Sequence, residues 1–176
     1  MSCNEGIIII ENPNEYNTKI TEQITKVQNP LDSMLLYLLS IQWNMQFDDK
    51  NYNPSTDVDI NLLSQLYNKT SEQIAISSDN LKKFDYKNQD TCFKPTAITT
   101  LENIDSILKK DFLPIIEILK STEGKVKKKV IEEIDPYGKS GFNSYYKSMS
   151  NLIKAQRQFD SNHKFVLKTD FLQFNF

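Results

Sequence analysis

Glycine is scarce in this chain, with four in 176 residues, and only six prolines accompany them. Short strands joined by tight turns use more of both, so composition argues against an all-β protein. Cysteine is nearly absent. Cys3 and Cys92 are too few and too far apart for a disulfide framework or a thiolate metal site, and they read as unpaired thiols or small core residues. The longest apolar run, MLLYLL at 34–39, falls far short of a membrane span. An excess of one charge is also missing: the formal net charge of −2 gives no reason to expect nucleic acid or an anionic membrane as partner. The opening MSCNEGIIIIEN has no basic leader ahead of its short apolar run, so no cleaved secretory signal is expected.

What remains is a polar chain, 39% hydrophobic, long enough for a single domain with a real core. Residues 1–30 are polar apart from Ile7 to Ile10 and carry Asn12-Pro13 and Asn29-Pro30, dipeptides that break regular structure. They read as a flexible N-terminal arm, with the four isoleucines as a short strand or docking segment.

Residues 31–176 read as one helical domain. Leu31, Met34, Leu35, Leu38, Leu39, Gln42 and Met45 recur at three- and four-residue steps, which predicts a helix over about 31–47. Asn53-Pro54 marks a loop, and Thr56 with Asp59 resembles a capping box opening a helix over about 57–84. Its face is Leu63, Leu66, Thr70, Ile74, Ser77, Leu81 and Phe84. A third helix over about 97–120 presents Ile98, Leu101, Ile104, Leu108, Phe112, Ile115 and Leu119, with a kink or restart forced by Pro114. Gly124 is a stop. A short helix over about 125–134 turns Val126, Val130 and Ile134 inward, and DPYGKSG is a turn cluster before a long helix over about 142–173. The fold class expected is all-α, a helical hairpin or bundle with a long C-terminal helix.

Catalytic chemistry finds no foothold. Gly138-Lys139-Ser140 resembles the end of a phosphate-binding loop, but Glu133 stands where that loop needs its first glycine. His163 is the sole histidine and has no nucleophile or metal ligand in its company. Glu132, Glu133 and Asp135 form a solvated edge of a lysine-rich helix, and the sequon at Asn68 lies mid-helix. No enzyme, cofactor, metal or small-molecule substrate is expected. The role is structural or one of protein interaction.

The C-terminal helix holds the one functional signal. Tyr145, Met149, Leu152, Gln156, Phe159, His163, Val166 and Asp170 alternate at four and three residues, the spacing of a coiled-coil seam. Three of the eight are polar or titratable, and a buried amide without a partner costs about 1–3 kcal/mol. Two readings follow. Either these groups set register against other helices, or the seam drifts and they face solvent.

The segment resembles the C-terminal helix of bacterial flagellar hook and distal-rod proteins. Ile153, Gln156-Arg157, Phe159, Asn162, Lys164, Val166, Thr169-Asp170 and Leu172 match that pattern in one ungapped register. In that family the helix packs against the protomer's own N-terminal helix and against neighbours, which implies protein partners or copies of the chain itself. The assembly interface so implied is Leu152, Ile153, Gln156, Arg157, Phe159, Asn162, Lys164, Val166, Thr169 and Asp170. A second similarity, to the N-terminal hairpin of flagellar hook-capping proteins, covers 35–74 and makes Leu35, Leu38, Leu39 and Gln42 a secondary apolar face. The general plan also resembles filament and translocator proteins of type III secretion. The resemblance implies a structural or assembly component exported to the periplasm or cell surface without a cleaved signal. The alternatives are a cytosolic helical adaptor or chaperone that binds a partner helix, and a phage or virion structural protein.

Overall fold

The structure is a computed structural model that describes residues 7–46 and 56–163. Its helices are α1 (Pro13–Gln46), α2 (Ile60–Lys82), α3 (Phe93–Ile107), α4 (Leu113–Ser121) and α5 (Lys128–His163). A π turn, Leu108–Phe112, joins α3 to α4, so four rods make an all-α bundle. Among the described residues, four short strands clip the rods together: β1 (Ile8–Ile10), β2 (Thr56–Asp57), β3 (Phe84–Tyr86) and β4 (Lys125–Val126). β1 pairs in parallel with β3, Ile8 opposite Phe84 and Ile10 opposite Tyr86, while β2 and β4 are antiparallel. α1 packs chiefly on α2, and α3 chiefly on α5.

Residues 1–30 were expected to be a flexible arm, and the described part of them instead forms a short strand and the first half of α1, which puts one face into the core. Asn12 and Pro13 start a helix: the Asn12 Oδ1 accepts from the amides of Asn14 (2.8 Å) and Glu15 (3.3 Å), and proline occupies the first helical position, where an amide has no use. From there Tyr16, Ile20, Ile24, Val27, Leu31 and Met34 fall on one stripe, each at most 1% exposed. Burying an aliphatic side chain of that size contributes roughly 1.5–3 kcal/mol, enough to carry the helix through Pro30 with Val27 and Leu31 anchored on both sides.

The polar residues of this half-helix are the reason it looked unstructured, and the buried ones among them serve as its attachments. Gln23 lies buried; its carbonyl accepts from the Ser77 hydroxyl (3.0 Å) and its Oε1 from the Asn80 amide (3.1 Å), both on α2.

The middle of the chain follows its periodicity. Leu63, Thr70, Ile74, Ser77 and Leu81 of α2 are buried as the spacing predicts, although Phe84 belongs to β3. The helix starts at Ile60 rather than 57, capped by Asp59 Oδ1 on the Leu62 amide (2.9 Å). α3 begins at Phe93, before the expected 97, because Asp90 satisfies the free amides of Cys92, Phe93 and Lys94 at 2.9, 2.8 and 2.6 Å. Pro114 causes the expected restart. The π turn adds a residue ahead of it, so that the Leu113 amide bonds Leu108 five residues back and the proline ring enters the first turn of α4. After α4, the Glu123 and Gly124 amides bond the Lys120 and Leu119 carbonyls, a Schellman stop with both residues at positive φ.

The expected turn at DPYGKSG does not form, and α5 runs unbroken from Lys128 to His163 with Pro136 inside it. Gly141 explains part of this. A Cβ there would lie 2.8 Å from the Phe112 ring, so the glycine allows α5 and the π turn to touch rather than opening a loop. Val130, Ile134, Gly141 and Tyr145 are buried on one side, and that continuous contact holds the helix across the proline.

Candidate functional site

The residues proposed for an assembly interface separate into two groups. Leu152, Gln156 and Phe159 are buried at 0–1% exposure, facing the protein's own core. The Gln156 Nε2 donates to Asn17 Oδ1 at 2.9 Å and to Thr21 Oγ1 at 3.4 Å, while the Thr21 hydroxyl donates to the Asn17 carbonyl at 2.9 Å. The amide on the seam therefore sets the register of α5 against α1 within one chain. Phe159 sits among Tyr16, Tyr86 and Phe93 at centroid distances of 5.4, 5.3 and 5.8 Å. Ile153 is half-buried against the core, and Arg157 and Asn162 are exposed. Lys164, Val166, Thr169 and Asp170 lie outside the described residues, as do Cys3 and the expected end of the helix near 173.

His163 packs tilted against Phe159 (4.5 Å) and edge-on to Tyr86 (4.8 Å), an ordinary place for an imidazole at the end of an aromatic cluster. Cys92 is partly buried with its Sγ 3.7 Å from the Ala155 carbonyl. Burial first, then the charge of Asp90, pushes the thiol upward, away from the thiolate a nucleophile needs. Among the described residues no group of three or more His, Cys, Asp and Glu side chains is placed to hold a metal, and no helix is long and apolar enough to cross a membrane.

A second polar link joins α1 to α5 farther along. The Tyr145 hydroxyl donates to Asp32 Oδ1 at 3.1 Å, and Gln28 Nε2 donates to the same hydroxyl at 3.5 Å. Burial raises the Asp32 carboxyl to about 6, against the opposing hydrogen bond from Tyr145. The tyrosine is also raised, by burial and then by the nearby carboxylate.

Beside this link the secondary apolar face becomes a groove. Leu35 is buried in the core, whereas Leu38 and Leu39 are half-exposed and line a cavity of about 270 Å³. Gln42 lies in α1, and its side chain falls outside the described residues. Ile115 of α4 forms the floor, and Ile131, Ile134 and Phe142 of α5 form the opposite wall. Polar groups occupy one side: Asp135, Asn143 and Lys139, whose ammonium pairs with Asp135 at 2.5 Å. Gly138 lies at the middle of that wall, and a Cβ there would meet nothing within 4 Å. Unlike Gly141, it answers to no neighbour in the fold, yet glycine inside a helix costs about 1 kcal/mol relative to alanine.

Sequence reasoning found Leu38 and Leu39 and missed the α5 wall, because Asp135–Gly141 read as a turn. Had the helix been carried through Pro136, residues 131, 134, 135, 138 and 142 would have fallen on one face at steps of three and four. No protein-family model, curated protein or solved structure matches this chain.

Proposed function

We propose that the protein is a non-enzymatic helical adaptor whose partner is a helix seated in the groove between α1, α4 and α5. The observation that carries this reading is the groove: half-exposed Leu38 and Leu39 of α1 and Ile131 and Phe142 of α5 line it over buried Ile115 of α4, with a polar side, the form in which helical ligands are taken up. The paired amides and hydroxyls of the core join helices within the chain, whereas the groove is a concave apolar feature among the described residues that the fold leaves unfilled.

The test is selection of helical peptides from a displayed library against the full chain, followed by the Leu39→Asp variant. Groove binders are expected to weaken by about tenfold or more on that change, as central apolar contacts do. Binders indifferent to Leu39, or no binders at all, would count against the adaptor.

A component of an exported assembly of the flagellar or type III class is the second reading. It is favoured by the outer surface of α5, where Arg157 and Asn162 are exposed beside half-buried Ile153. On this reading Leu152, Gln156 and Phe159 serve the protomer's own core, and contact between copies falls to that outer surface.

A further inference from the structure

We infer that the exposed apolar strand β1 is the docking site of another segment of this same chain, residues 164–176, the stretch KFVLKTDFLQFNF that follows α5. This inference is independent of the groove and of the adaptor reading.

Ile7, Ile8 and Ile9 are 58%, 60% and 57% exposed, three large apolar residues in a row. Among the described residues β1 has one neighbour, β3, and its other edge is open. The Ile8 amide donates to the Lys83 carbonyl, and the Ile10 carbonyl accepts from the Lys87 amide, both at 2.9 Å. Backbone groups alternate sides along a strand, so Ile9 turns its amide and carbonyl toward the open edge. A bare apolar edge is a pairing site that native proteins cover or charge.

The position of His163 selects the occupant. It packs on Tyr86, which stands opposite Ile10 in the β1–β3 register. Ile8 and Ile10 share one face of β1, because side chains alternate along a strand. Ile10 is buried at 2%, whereas Ile8, roughly 7 Å farther along, is uncovered. His163 therefore lies at the boundary between the covered and uncovered parts of that face. Seven of the thirteen residues that follow it are apolar. Thirteen residues reach up to about 45 Å when fully extended, several times the distance required.

The size of the patch favours a tethered occupant over a separate molecule. Three half-exposed isoleucines offer only a few hundred Å². A stable association between separate proteins buries roughly 800 Å² on each partner. A segment joined to the same molecule meets the patch at an effective concentration on the order of millimolar, so a small contact area serves.

The test is nuclear magnetic resonance on the full chain with labelled isoleucine methyls and phenylalanine rings. The unaltered chain is expected to show Overhauser contacts from the Ile8 and Ile9 methyls to phenylalanine rings of residues 164–176, each ring assigned by its single change to leucine. Leu172→Asp combined with Phe174→Asp is expected to weaken those contacts and shift both methyl signals, while the methyls of Ile20 and Ile104, buried in the core, keep theirs. Absence of any such contact in the unaltered chain overturns the docking, whatever the variant does. Contacts that fade on dilution place the segment on a second molecule and overturn docking within one chain. Contacts and methyl signals left unchanged by the double substitution overturn the part given to the apolar residues of the segment.

Discussion

Asp32 is a carboxyl held where a carboxylate is poorly solvated, and the consequence is a measurable pH dependence. Its folded value of about 6 lies above the ordinary 3.8, so between those values the folded chain binds more proton than the unfolded one. Its contribution is most favourable near pH 4, falls as pH rises toward 6, and stays at its low level above. Discounted for partial solvent exposure, the penalty at pH 7 is about 1 kcal/mol. Asp32→Asn retains an acceptor for the Tyr145 hydroxyl without the charge. It is expected to exceed the parent by about that amount in urea unfolding at pH 7 and to lose the advantage near pH 4. A difference that does not vary with pH would remove burial as the cause. Gln156 teaches the complementary lesson. Its polar character on an apolar seam was legible, but its partners Asn17 and Thr21, more than 130 residues away, were not.

At the scale of elements, the two glycines of α5 separate packing from function. Gly141 abuts the Phe112 ring, and Gly138 faces open space. Gly138→Ala is expected to stabilise the chain by about 0.5–1 kcal/mol through helix propensity. Gly141→Ala is expected to destabilise it by about 1–3 kcal/mol, because a ring or a helix must move. Chemical denaturation of the two variants checks both signs, and a shift in the same direction would break the distinction. The prolines follow one rule with different outcomes. Pro114 found relief in a π turn, while Pro30 and Pro136 stay inside helices because apolar contacts flank them. Propensity marks where a helix is weak, and packing decides whether it ends there.

For the whole molecule, the largest departure from the sequence reading is the first half of α1. Amides from about Tyr16 to Val27 are expected to exchange hydrogen as slowly as those of α3 and α5, through global unfolding alone. Exchange within seconds would restore the flexible arm. Part of the low hydropathy of this segment comes from Asn17, Thr21, Gln23 and Gln28, all buried. A composition argument counts such groups as solvent-seeking, whereas in the bundle each faces a complementary group on α2, α5 or its own helix.

The order of residues by itself determined the all-α class, the buried stripes of α2, α3 and α4, the restart at Pro114 and the four- and three-residue spacing of Tyr145, Met149, Leu152, Gln156 and Phe159. Each is a local periodicity or a steric property of one residue. Only the tertiary structure decided that the polar N-terminal segment puts one face into the core, that α5 is continuous, and that its wall and α1 flank a groove. Those outcomes depend on contacts between residues far apart in the chain, whose energies outweigh the local preference of a proline, a glycine or an amide and leave no local trace in the sequence.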